Sequence, residues 1–228
     1  MQLLDNLVDS CNPVIGCTYR GCNFCYAKLM NDRYHFVNDF YQPEIKLHAL
    51  KKIHTRIENA KVFFMNSMSD IADWPKEVII KTFEEMKKYP HNNYFFLTKR
   101  PNLLQGLDCS NQQNVWIGVS VTCQQDVWRI DALRNFINSA NYSVQFEPLL
   151  GDVGKIDLSY ISQITIGADS RRTLNKIIPE FSWVENIVIQ ANNYGIPVWV
   201  KDSLINVVGP QNLRQDYLPY LHLQKEIP

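Results

Sequence analysis

Val115-Trp116-Ile117-Gly118-Val119-Ser120-Val121 is a short apolar run that closes on hydroxyls, Ser120 and Thr122. Its length, its β-branched residues and the helical spacing on either side read as one buried strand. Runs of the same form are Pro13-Val14-Ile15-Gly16, Val62-Phe63-Phe64-Met65-Asn66, Tyr94-Phe95-Phe96-Leu97-Thr98, Val144-Gln145-Phe146-Glu147, Ile164-Thr165-Ile166-Gly167 and Pro197-Val198-Trp199-Val200-Lys201. Helices are predicted between them over residues 24–37, 44–58, 75–88, 126–137 and 181–194, with a short one after Lys99-Arg100-Pro101. Pro75 suits a first helical position and Gly195 the residue just past a helix end. Strands that alternate with helices imply βαβ units and a parallel sheet. Nearly continuous apolar strands fit a sheet covered on both faces. The expected class is α/β: a partial or compact (β/α) TIM-like barrel of about six or seven parallel strands, with a doubly wound sheet as the other arrangement of such units.

Polar residues at the strand ends favour the barrel. The runs end in Asn66-Ser67-Met68-Ser69-Asp70, Thr98-Lys99-Arg100, Ser120-Val121-Thr122, Glu147, Gly167-Ala168-Asp169-Ser170 and Lys201-Asp202. A parallel barrel opens all its C-terminal strand ends on one face, where active sites form. Ser, Thr, Asp and Asn also serve as turn and cap residues, which suffices for Ser69 or Ser170 taken alone. Lys99, Glu147 and Lys201 at the ends of apolar strands ask for more, because burying an unpaired charge is costly.

The first run leads into Cys17-Thr18-Tyr19-Arg20-Gly21-Cys22-Asn23-Phe24-Cys25, three cysteines spaced C-x4-C-x2-C. Four thiolates usually hold an iron–sulfur cluster. Three leave one iron of a four-iron cluster free to take a small molecule. A structural zinc would want a fourth Cys or His nearby, and His35 and Cys11 keep that reading open, as do plain unliganded thiols. A disulfide framework suits a small Cys-dense secreted chain. Here there are six Cys in 228 residues, and Met1-Gln2-Leu3-Leu4-Asp5 does not read as the start of a secretory signal. Cys11, Cys109 and Cys123 are expected to be ordinary small core residues.

Lys plus Arg balance Asp plus Glu at 23 each. That speaks against a free-standing nucleic-acid binder with a basic stripe, though a local patch is compatible with it. Arg33, Tyr34, His35, Tyr41 and His48 form one basic–aromatic stretch suited to phosphates and bases, and equally to a solvated helix face. No apolar run reaches the ~20 residues of a membrane span, so a cytoplasmic location is expected. The chain reads as one domain, 1–228, with the Cys loop at 17–25 and a C-terminal extension over about 203–228.

Together these residues resemble the radical S-adenosylmethionine superfamily. The closer resemblance is to a phage-associated family of three-Cys proteins, which would place this chain in a host cytoplasm. It rests on Asn12-Pro13-Val14-Ile15-Gly16-Cys17, Gly21-Cys22-Asn23-Phe24-Cys25-Tyr26-Ala27, Asn66-Ser67-Met68-Ser69-Asp70, Leu97-Thr98-Lys99-Arg100-Pro101, Gly118-Val119-Ser120-Val121 and Glu147-Pro148-Leu149-Leu150. The departures are a four-residue first gap in the Cys motif, Cys11 in place of Trp, and Gly167-Ala168-Asp169 in place of a Gly-Gly-Glu-like pattern.

The resemblance implies Cys17, Cys22 and Cys25 as ligands of a 4Fe-4S cluster whose fourth iron binds S-adenosyl-L-methionine. It implies Phe24 beside the adenine, Tyr26 among the residues that bind the cofactor, and Ser67, Ser69 and Asp70 at the methionine amino group. Lys99 or Arg100, with Thr98, would meet the carboxylate. Ser120, Thr122 and Glu147 would meet the ribose, and Gly167 and Asp169 would line the same site. Lys201 would neutralise an anionic substrate or pair with Asp202. Glu147, Lys201 and Lys99 are the catalytic candidates. The implied reaction is reductive cleavage of the cofactor to a 5′-deoxyadenosyl radical that abstracts hydrogen from substrate. Isomerisation, bond cleavage and group transfer all share that opening. An external electron donor of the flavodoxin or ferredoxin type is implied, with a small-molecule, nucleotide or nucleic-acid substrate, a modified DNA base among them, and room for a partner protein. The other class of reading is a non-catalytic iron–sulfur or zinc-binding module that works with a partner protein.

Overall fold

A computed structural model describes residues 8–169, 171 and 176–216. Residues 1–7, Ser170 and the 217–228 part of the predicted extension lie outside the described residues. Seven strands form one sheet: β1 Val8–Ser10, β2 Val62–Phe64, β3 Asn93–Thr98, β4 Val115–Ser120, β5 Asn141–Phe146, β6 Ile161–Ile166 and β7 Val198–Val200. They lie side by side in chain order, and each adjacent pair is parallel. The sheet curls into a half-barrel, the partial TIM-like arrangement that the alternating pattern predicts.

Four helices form where helical spacing predicts them: α1 Tyr26–Tyr34, α2 Lys76–Met86, α3 Trp128–Phe136 and α4 Phe181–Asn193. Along each strand the side chains alternate between two faces. Phe63, Tyr94, Phe96, Ile117, Val119, Val144, Phe146, Ile164 and Ile166 point into the main core, where Val78, Phe83, Ile130, Leu133, Val184 and Ile187 of the helices meet them. The inner face carries Phe95 and Trp116 low in the half-barrel, with Leu97 and Trp199 against them. Ser143, Gln145, Gln163 and Thr165 are buried on that same inner face.

Two predicted elements differ. Val14–Ile15 is not a sheet strand; it pairs antiparallel with Glu44–Ile45 outside the main sheet. The first sheet strand is the polar Val8–Ser10, and its ladder runs on through Cys11 N to Phe64 O. Pro13 has no N–H to give to a ladder, which ends the pairing there. Residues 44–58 are not an α-helix but two 3₁₀ segments, Leu47–Ile53 and Ile57–Asn59. Leu47, Leu50 and Ile53 recur every three residues, the 3₁₀ period, and the last two are buried. Beyond β7, residues 214–216 cover that edge of the sheet, with Val200 N donating to Arg214 O and Asp216 N to Val198 O. Cys11 and Cys109 are fully buried, as small core residues should be, whereas Cys123 is only partly buried and lies outside the core. Among the described residues, no helix is long and apolar enough to cross a membrane.

Candidate functional site

The C-terminal ends of the strands open on a cavity of about 1150 Å³. The Cys loop forms one wall of it. Cys25 caps α1: its backbone is extended, and its Sγ accepts the Lys28 N–H at 3.4 Å. Cys17, Cys22 and Cys25 all line the cavity, and none is in a disulfide. Burial pushes the Cys17 thiol up to about 12, against smaller pulls from the Tyr19 backbone N–H and, less, from the Arg100 guanidinium. Cys22 is also raised by burial, with Lys99 opposing.

A partly buried charge network ties this loop to the sheet. Asp73 Oδ2 accepts from Thr18 N at 2.9 Å and from Arg100 Nη2 at 2.6 Å, while Asp73 Oδ1 accepts from Thr18 Oγ1 at 2.6 Å. Burial alone would raise the Asp73 carboxyl; the hydrogen bonds from Arg100 and Thr18 outweigh it and hold the group below its usual value. Arg100 also donates to Thr18 Oγ1 at 2.9 Å, and its Nη2 lies 3.9 Å from Cys17 Sγ. Asp70 joins the ends of two strands: it accepts from Ala72 N, from Thr98 Oγ1 at 2.6 Å and from Lys99 N at 3.0 Å. A carboxylate so fully bonded acts first as a strut.

The cavity wall also includes Phe24, Tyr26, Ser67, Ser69, Thr98, Lys99, Ser120, Glu147, Asp169 and Lys201, so most of the predicted residues converge. Tyr26 OH donates to Ser67 O, and Ser69 Oγ accepts from Trp74 Nε1 at 2.9 Å. Lys99 Nζ lies 5.8 Å from the centroid of the Phe24 ring. It makes no hydrogen bond among the described residues. Lys201 pairs with Glu147, at 2.7 and 2.6 Å to its two oxygens, and not with Asp202. Gly167 makes room for this pair, since a Cβ there would stand 2.8 Å from Glu147 Oε1.

Three predicted residues stand back from the cavity. Arg100 is behind the Cys loop, bonded as above. Thr122 Oγ1 donates to Asp126 Oδ2 at 2.6 Å, so its hydroxyl is spent on a turn. Gly167 contributes space rather than contact. Asp169 reaches the wall but is held by Arg171, whose hydrogen bonds keep its carboxyl below the usual range. Arg171 also donates to Asn23 O at 2.6 Å, joining the end of β6 to the Cys loop. Of the basic–aromatic stretch, His48 lines the cavity, whereas Arg33 stacks on Tyr34.

Sequence reasoning passed over Asn12, Thr18, Asp73 and Gln145. Asn12 Oδ1 accepts from Met68 N at 3.0 Å, and Asn12 Nδ2 donates to Ser67 Oγ. Asn12 precedes a proline and Asp73 follows Asp70 by three residues, which reads as ordinary turn chemistry. Gln145 had a clear signal: a polar side chain at the alternate position of an otherwise apolar strand.

Among the described residues, no three His, Cys, Asp or Glu side chains are grouped to hold one metal ion. A four-iron cluster makes a different demand, because each thiolate binds its own iron. Three unbridged thiols from one loop, facing one cavity, suit that demand in kind.

Fold and site together define a parallel half-barrel with a cysteine-walled cavity at its strand ends. The chain matches the family described as protein of unknown function (DUF5131) over residues 6–204, and it belongs to that family. No curated protein and no solved structure matches it.

Proposed function

We propose that this protein is a radical S-adenosylmethionine enzyme with an anionic or heterocyclic substrate of the nucleotide kind. The observation that carries the reading is the opening of all three loop cysteines into one cavity, at the C-terminal ends of a parallel half-barrel. Bound there, a four-iron cluster and S-adenosylmethionine would supply one-electron cleavage of the sulfonium carbon–sulfur bond.

The chain's own residues do the rest. Cys17, Cys22 and Cys25 would hold the iron as thiolates, which requires the loss of protons that burial favours on the first two. Lys99, an ammonium without a hydrogen bond beside Phe24, takes the carboxylate of the methionine moiety. Ser67 and Ser69 present oxygens to its amino group, while Asp70 fixes the two strand ends on which Thr98 and Lys99 sit. Glu147 and Lys201 are half-exposed partners at the cavity wall, and a pair of that kind is held weakly enough to be parted by a polar ligand. Phe24 and Tyr26 supply aromatic faces for a planar ring.

Anaerobic reconstitution with iron and sulfide, followed by metal analysis, tests the cofactor assignment. The wild-type chain is expected to hold roughly four irons, and Cys17→Ala, Cys22→Ala and Cys25→Ala each to lose most of them. Equal iron in wild type and all three variants would refute it.

A further inference from the structure

Gln145 sits on the inner face of β5, between Val144 and Phe146 of the core. Its neighbour in register on β4 is Ser120. Gln145 is 7% exposed and Ser120 4% exposed, yet both line the cavity. Neither side chain makes a hydrogen bond among the described residues. Their polar ends lie side by side and open on the cavity, where a ligand can reach them. In the layer beneath, Ser143 Oγ and both amide atoms of Gln163 are buried and have no partner among the described residues, and these two residues are in register on β5 and β6.

We propose that Gln145, with Ser120 beside it, is the residue that reads the substrate, and that it reads the ring lactam or amidine edge of a nucleobase-like heterocycle. This rests on the proposed function only for the identity of the cavity as the reaction site. A carboxamide presents one donor and one acceptor side by side. Its complement is an acceptor next to a donor on one edge. A trans peptide amide points its N–H and C=O in opposite directions and does not match. A ring lactam is held cis and does match, as does the amino–aza edge of adenine, the usual bidentate partner of Gln. Ser120 Oγ, donor or acceptor by rotation, adds a third point. Phe24 and Tyr26 in the same wall suit a planar ring.

The test is binding of uridine, inosine and adenosine, each beside its edge-blocked form: N3-methyluridine, N1-methylinosine and N6,N6-dimethyladenosine. Calorimetry and ligand-observed NMR on the reconstituted protein read the affinities. At least one parent nucleoside is expected to bind, its methylated form about tenfold or more weaker. Gln145→Leu should erase that discrimination, and the near-isosteric Gln145→Glu, which loses the donor, should weaken the parent alone. Methylation of the ligand leaves the protein wild type, so the contrast stands even where a variant folds poorly. The inference fails where no parent binds, where parent and methylated forms bind alike, or where Gln145→Leu keeps the discrimination. Binding is read without cofactor cleavage. Edge-selective binding with no 5′-deoxyadenosine would therefore uphold this inference and sink the radical reading, whereas 5′-deoxyadenosine without edge selectivity would do the reverse.

Discussion

At the scale of single residues, Asp73 organises the Cys loop. It anchors Thr18 by backbone and side chain and pairs with Arg100, with only 7% of its side chain exposed. Losing a partly buried, charge-assisted pair of this kind costs about 1–3 kcal/mol. Asp73→Asn is expected to lose roughly that much at pH 7 in urea unfolding. The folded carboxyl titrates below its usual value, so its contribution is complete above the unfolded value near 4 and falls away as pH drops through the depressed folded one. Wild type and Asp73→Asn should therefore converge in acid. A gap that stays constant down to about pH 2 would contradict this account. Little of the network was legible beforehand. The resemblance placed Arg100 at the cofactor, but which carboxylate it meets is decided by a 3₁₀ turn that brings Asp73 under the loop. Lys201 was legible as a cation in need of a partner. That the partner is Glu147 rather than adjacent Asp202 follows from strand alternation, which puts Glu147 and Lys201 on the same inner face.

At the scale of elements, the strands and the longer helices could be read from periodicity alone. The failures have local causes: Pro13 removes a ladder donor, and a spacing of three over Leu47, Leu50 and Ile53 selects 3₁₀ geometry over α. Gly118 in β4 had a use that spacing did not reveal. A Cβ there would stand 2.3 Å from Ser143 Oγ and 2.8 Å from Leu97 Cδ2. The glycine lets β5 carry a side chain on the inner face opposite it. Gly118→Ala is expected to cost about 1–3 kcal/mol through overpacking. Ser143→Ala alone should be nearly neutral, since the hydroxyl it removes is buried without a partner. Combined, the two should cost about 0.5 kcal/mol or more less than the sum of the single changes in a double-mutant cycle. Strict additivity would mean that the close approach is relieved elsewhere.

At the scale of the whole molecule, strand order equal to chain order is what makes the site. Every strand delivers its C-terminal end to the same rim, so residues as distant in sequence as Cys17 and Lys201 share one wall. The convergence of polar strand ends was readable from the sequence once a parallel barrel was inferred. Gln145 also left a signal, a polar residue at an alternate position of an apolar strand, but it was passed over because a strand interior is normally read for its apolar residues. The radical reading is tested most directly by assaying 5′-deoxyadenosine after anaerobic reconstitution, chemical reduction and addition of S-adenosylmethionine, with and without the nucleosides above. A radical enzyme forms 5′-deoxyadenosine here, and Cys25→Ala abolishes it. An intact four-iron cluster that binds S-adenosylmethionine yet yields none under any of these conditions would contradict it.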